Sequence, residues 1–359
     1  MRKLATIRKI DDIRPIDGAD AIECAIIGGW TVVVKKGEFA VGQFAVYLEI
    51  DSFVPNALAP FLTKAGHFPK TYSVTNEDGT VTTVEGERLK TIRLRGQLSQ
   101  GLLLPMSGFD AYFEGAGDTL FKEGDDVTNM LGILKWERAI PAQLAGLARG
   151  NFPTAIPKTD QERAQNLVKE ITAVCEIGKM FEITEKLEGS SMTCYLIDGQ
   201  FGVCSRNLDL KCDENNSFWA TAIREDIEAK MRLEFGETGD FAIQGELIGP
   251  GIQNNIYNLT RTEFYVFDIY DIRRGEYLRP SSRRLFVDAM ELNHAPVLAY
   301  TAELYDTLGL QGVQDILKFA EGPSKLNKTQ EREGVVFKQV DGGMSFKAVS
   351  NRYLMKGGE

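Results

Sequence analysis

The chain has 359 residues, 43% of them hydrophobic and 26% charged, which is a globular composition with apolar mass for two domains of ordinary size. Its 41 Lys and Arg against 51 Asp and Glu leave a formal net charge of -10, a balance that argues against a broadly basic nucleic-acid-binding surface. Five cysteines form no Cys-x-x-Cys pair and there are only two histidines, His67 and His294, which excludes a zinc finger or a His-rich metal site. The odd cysteine count argues against a disulfide framework and for a reducing compartment. The start Met1-Arg2-Lys3-Leu4-Ala5-Thr6 leads into no apolar signal core, and no run approaches the length of a membrane span. A cytoplasmic chain with no membrane partner is the expectation.

Residues 1–105 read as strands. Trp30-Thr31-Val32-Val33-Val34 and Gln43 to Ile50 are β-branched and aromatic runs separated by Gly-containing turns. Tyr72 to Val84 alternates around Asp78-Gly79, a hairpin signal. The basic run Arg88 to Arg95 then alternates so as to send Arg88, Lys90 and either Arg93 and Arg95 or their neighbours to solvent. Such a run is an ordinary exposed strand face or a track for an RNA backbone. Short strands with little helix predict a small barrel. Residues 110–134 read as Gly- and Asp-rich turns with a short helical piece, and 139–157, with Pro141, Pro153 and Pro157, as a linker. Residues 1–150 carry 17 basic and 19 acidic side chains, a net of -2; the remaining 24 basic and 32 acidic give -8.

From Thr159 the series Thr-Asp-Gln-Glu predicts a capped helix start that would put Arg163 on a helix. Strands are predicted over 180–185, 192–197, 201–205, 241–248, 263–271, 334–340 and 344–348, with helices near 217–234 and 311–320. This alternation is α+β, with no Gly-x-Gly-x-x-Gly or P-loop. The tryptophans and cysteines read as core residues, His67 as a loop residue and His294 as a helix-end residue.

Glu185-Lys186-Leu187-Glu188-Gly189 follows an apolar strand, so a Lys at a strand end meets a Gly turn and its amine can face a pocket. Alone the tetrapeptide Lys186-Leu187-Glu188-Gly189 reads as a surface turn. It is followed in order by Ser205-Arg206-Asn207, Gln244-Gly245-Glu246-Leu247-Ile248-Gly249, Phe264-Tyr265-Val266-Phe267-Asp268, Glu333-Gly334-Val335-Val336-Phe337-Lys338 and Ser345-Phe346-Lys347. Six motifs in this order over about residues 159–355 resemble the covalent nucleotidyltransferases: RNA ligases, DNA ligases and capping enzymes. A barrel placed before the transferase domain is similar to the Deinococcus and Naegleria group of RNA ligases.

The resemblance implies an N-terminal all-β OB-fold barrel (1–138), a linker (139–157) and a C-terminal α+β nucleotidyltransferase domain (158–359). It implies ATP and Mg²⁺ or Mn²⁺ as cofactors, and RNA with 5′-phosphate and 3′-OH ends, duplexed, as partner of a monomer. Lys186 would carry AMP. Lys338 and Lys347 would meet the α-phosphate, and Glu185, Glu188, Arg206, Glu246 and Phe267 the nucleotide, with Phe267 on adenine. Glu188, Glu246 and Glu333 are hard oxygen donors suited to a hydrated divalent ion. Arg206, Arg163, Arg88, Lys90, Arg93 and Arg95 would contact RNA. Ser345 stands where the family often has a second motif-V Lys, and Glu188 where it often has Asp. The alternatives are a non-catalytic RNA-binding protein on this fold, or a DNA ligase or capping guanylyltransferase.

Overall fold

The computed structural model describes residues 2–75, 80–109, 121–137 and 146–356. The chain divides into two compact units, Met1–Ala139 and Ile140–Gly358.

In the first unit the strand Phe44–Leu48 is flanked antiparallel by Ala5–Lys9 and Leu102–Pro105. A meander of Asp12–Pro15, Ile22–Ile27 and Trp30–Lys35 forms a second sheet. Thr31 and Val33 of its last strand bond to Leu98 and Ser99 of the ribbon Thr91–Leu94/Gln97–Gln100. The core gathers Ala5, Ile7, Val46, Leu48 and Leu104 of these strands with Leu4, just before the first, and Val54 of the strand Ser52–Pro55. The expected hairpin forms between Lys70–Thr75 and Val81–Arg88, with Tyr72 opposite Val84; its Asp78-Gly79 turn lies outside the described residues, as does 110–120 of the turn-rich segment. Among the described residues of 121–134 there are turns and no helix. Within 139–157, Ala148–Asn151 is an edge strand on Leu208–Leu210, and 139–145 lie outside the described residues.

The second unit holds two sheets. Five strands run Glu162–Arg163, Ser345–Val349, Gly334–Gln339, Met180–Lys186, Val297–Glu303 across one. The other centres on Ser190–Ile197, Phe241–Ile248 and Glu263–Asp271. One face of the five-stranded sheet is Phe181, Ile183, Val335, Phe337 and Phe346, packed under the helices Val168–Glu176 and Val313–Ala320. The Phe337 and Phe346 rings stack with centroids 4.7 Å apart.

Several sequence expectations fail locally. No helix starts at Thr159. Glu162–Arg163 is a strand, and the helix begins at Val168 with no side-chain cap, because Glu162 bonds Arg163 N and Asn166 Nδ2 instead of closing a capping box. Arg163 is therefore a buried strand residue, 2% exposed. The helix near 217–234 is two, Ser217–Arg224 and Ile227–Phe235, broken at Asp226 in the left-handed region (φ 52°). His294 lies on a short strand beside Tyr265 and Val266 rather than at a helix end. The tryptophans divide: Trp30 and Trp219 are core, while Trp136 is part-exposed. Cys24, Cys194 and Cys204 are buried, whereas Cys175 is only partly so and Cys212 is exposed.

Phe337 contacts Phe181, Phe319 and Phe346 at full burial. Phe337→Ala is expected to lower the stability of the second unit by roughly 3–5 kcal/mol, measured by urea unfolding.

Candidate nucleotidyl-transfer site

Strand pairing assembles the site. Lys186 lies opposite Gly334, Thr184 opposite Val336 and Glu182 opposite Lys338. Across the next ladder Val336 meets Lys347 and Lys338 meets Ser345, and Arg163 meets Lys347 on the parallel edge strand. Directly opposed residues share a sheet face and alternate residues return to it. Lys186, Glu182, Lys338, Ser345, Lys347 and Arg163 thus stand on the face opposite the phenylalanine core. Two glycines permit the close approaches: a Cβ at Gly334 would lie 2.2 Å from the Ala348 carbonyl oxygen, and one at Gly189 2.4 Å from that of Leu247.

The Lys186 ammonium donates to Glu333, which is buried beside it. Glu246 projects from the second sheet, opposite Ser191 and Tyr265. Burial pushes its carboxyl up to about 8; Lys186 and Arg206 pull the other way, and Glu333 adds to the rise. Glu188 lies in the turn after Lys186. Its Oε1 accepts from Asn254 Nδ2 at 2.6 Å and its backbone N donates to the Tyr257 hydroxyl at 2.6 Å. Its buried Oε2 has no hydrogen-bond partner among the described residues.

Phe267 is the extra residue of a β-bulge: Gln244 pairs with Asp268 but Gly245 with Val266. The ring stays on the Tyr265 face, and the Phe267 carbonyl accepts from Lys338 Nζ at 2.7 Å, with Nζ 5.5 Å from the ring centroid. Asp268 Oδ2 lies 2.6 Å from the same ammonium. Burial lowers the Lys338 pKa and Asp268 opposes that shift. Behind Asp268, Arg283 is bonded to Glu182, Asp268 and His294.

Other predicted residues are placed differently. Glu185 lies on the core side of its strand. Its Oε2 accepts from Lys325 N at 2.7 Å, and burial raises its pKa. Arg206 pairs with Asp160 at 2.8 Å in a pocket also lined by Lys158, Thr159, Ser191 and Thr193. In the first unit Arg88 corrects the solvent-facing expectation. Its side chain is 8% exposed, paired with Asp51 at 2.7 Å and stacked 3.6 Å over Trp136, because an aromatic partner and an acid bury it. Lys90, Arg93 and Arg95 are exposed, and Arg95-Gly96 is the positive-φ turn of the ribbon.

Among the described residues no three His, Cys, Asp or Glu converge as a bare-ion cage. The orphan oxygen of Glu188, the protonation-poised Glu246 and Glu333 fit instead a divalent ion that keeps its waters.

A family model described as RNA ligase matches residues 179–351, and an OB-fold domain model matches residues 4–106. No curated protein is similar by sequence. Solved structures of an RNA ligase from Naegleria gruberi are 45% identical. The structure with pyrophosphate covers 99% of this chain and 98% of that one (TM-score 0.83). A mutant with AMP and manganese covers 98% of each (TM-score 0.84), as does a mutant with ATP and manganese (TM-score 0.83).

The Glu246 shift carries a sign. The folded state holds this proton more tightly than an unfolded carboxyl at 4.5, so its stabilising contribution is full below about 4.5 and is lost as pH rises through about 8. Without nucleotide or divalent ion, the thermal midpoint of the wild type should fall more steeply from pH 5 to pH 8 than that of Glu246→Gln, as read by differential scanning fluorimetry.

Proposed function

The chain belongs to the RNA ligase family, and we propose that it seals RNA 3′-OH and 5′-phosphate ends with ATP, at nicks in duplexed or structured RNA whose 3′-OH strand is RNA. The observation that carries this reading is the shared sheet face of Lys186, Lys338 and Lys347, with Glu333 on the Lys186 amine.

The chemistry follows from that face. Lys186 must release a proton to solvent before its nitrogen can attack, and the ion pair with Glu333 holds the amine in place until then. The Nζ–P bond forms at the ATP α-phosphorus while the bond to pyrophosphate breaks. Lys338 and Lys347 place positive charge where the phosphoryl oxygens become more negative. The Phe267 ring offers adenine a stacking surface. Glu188, Glu246 and Glu333 would hold a hydrated Mg²⁺ or Mn²⁺, which supplies further charge neutralisation at the phosphates. In the second step the RNA 5′-phosphate takes AMP from Lys186, giving AppRNA and the free amine, and Arg206 meets that phosphate once Asp160 yields it. In the third step the 3′-OH attacks the 5′-phosphate and AMP leaves.

Arg163 sits beside Lys347 in the ladder, which suits a phosphate contact. Lys90, Arg93 and Arg95 remain an RNA-backbone track on the first unit, without Arg88. A non-catalytic RNA-binding role is disfavoured because Lys186, Glu246, Glu333, Lys338 and Lys347 are all present.

Wild-type protein incubated with labelled ATP and Mn²⁺ should form an acid-stable, amine-linked AMP adduct, and Lys186→Ala none. An undiminished adduct on Lys186→Ala would sink the assignment of the nucleophile, and better labelling by GTP would favour a capping reaction. On nicked duplexes, sealing should persist when the 5′-phosphate strand is DNA and be lost when the 3′-OH strand is DNA; equal sealing of both would remove the RNA requirement.

A further inference from the structure

Arg283 is 1% exposed, on the helix Pro280–Ala289, and its guanidinium reaches three separate strands. Nη2 bonds Glu182 on the Lys186 strand. Nη1 is 3.4 Å from Asp268 Oδ1 on the Phe267 strand. Nε donates to His294 Nε2 at 3.1 Å. An arginine Nε–H can only donate, so His294 Nε2 is the acceptor and Nδ1 carries the ring proton, given to the Ala295 carbonyl at 2.7 Å. Burial, then Arg283, lowers the His294 pKa and keeps the ring in this neutral form.

The second Asp268 oxygen holds Lys338 Nζ at 2.6 Å. Glu182 lies directly opposite Lys338 in the ladder and four residues before Lys186. Two cations therefore share one buried carboxylate, and one of them is a site lysine. A buried ion network is a poor device for stability, because apolar groups of similar volume often replace it without loss. What this one does supply is a fixed position for an amine. With Arg283 on Oδ1, Asp268 cannot rotate to give both oxygens to Lys338. The ammonium is then held by one oxygen and the Phe267 carbonyl, with donor capacity left for a phosphate.

We propose that Arg283, acting through Asp268, is a positioning residue that aims Lys338 at the nucleotide phosphate. This rests on the reading of Lys338 as a phosphate contact.

The test is single-turnover adenylylation of the full chain, with labelled ATP and Mn²⁺ across a range of ATP concentrations. Arg283→Gln should lower the rate at saturating ATP by about 10–100-fold, the range seen when outer-shell partners are removed. Half-saturating ATP should change by less than about threefold, since an interaction made mainly in the transition state moves the rate and not ground-state binding. Arg283→Lys should restore part of the rate. If Arg283→Gln fails to fold, the double variant Glu182→Leu/Arg283→Met removes the buried pair together, and its far-UV circular dichroism and melting should match wild type. A folded single or double variant that adenylylates at the wild-type rate would overturn the proposal. Lys338→Ala is the control for the premise. If it keeps the wild-type rate, the phosphate role of Lys338 fails. If it is inactive while a folded Arg283 variant is normal, only the positioning role fails.

Discussion

The antiparallel ladder between Met180–Lys186 and Gly334–Gln339 is the constraint on which the rest depends. It joins segments 147 residues apart in sequence at the Lys186–Glu333 pair. A slip of one residue in Gly334–Gln339 would send Lys338 into the phenylalanine core and bring Val335 and Phe337 to the opposite face. The core therefore enforces the register, and the register assembles the site. Phe181, Phe337 and Phe346 act on the chemistry without touching it, because their burial decides which way the lysines point.

The second constraint is desolvation. Glu246, Lys338, Asp268, Glu182 and Arg283 sit where an isolated charge would be costly. Lys338, Asp268, Glu182 and Arg283 are each balanced by a neighbour on a different strand or helix. The balance is local, so the net charge of -10 says little about the cleft. Among the site residues are three carboxylates suited to a hydrated cation and several cations suited to phosphates. That is the pattern expected where a polyanion must be held with its counter-ion. The acidity that argued against nucleic acid is in part located where a metal-bound nucleotide would need it.

Much of this was legible in the sequence. Strand ends at Lys186, Ile248, Asp271 and Gln339 fell within a residue or so of their predicted places, because apolar runs bounded by Gly and polar residues are short and well marked. Glu182 was also readable, since it is two and four residues from Thr184 and Lys186 on an alternating strand. What stayed hidden needed long-range knowledge. The capping pattern at Thr159 lost to strand pairing with Ser345–Val349, a partner more than 180 residues away. Arg88 departed from the solvent-facing side of its alternation because it met Asp51 and Trp136, which no local pattern announces. Asn254 and Tyr257 come from an irregular loop with no period to read. Asp268 and His294 became visible only when the bulge and the parallel strand pair were known.

The bulge at Phe267 has a consequence of its own. In the proposed reading one residue would offer its ring to the base while its carbonyl holds Lys338, so two ends of a bound nucleoside phosphate would be gauged from a single peptide unit. The interval between stacking plane and ammonium then depends on one hydrogen bond, from Lys338 to the residue that carries the ring. Such a caliper spans one sugar. It would tolerate changes on the far edge of the base better than any lengthening between base and phosphate. Insertion or deletion of one residue in this strand would reset both jaws at once.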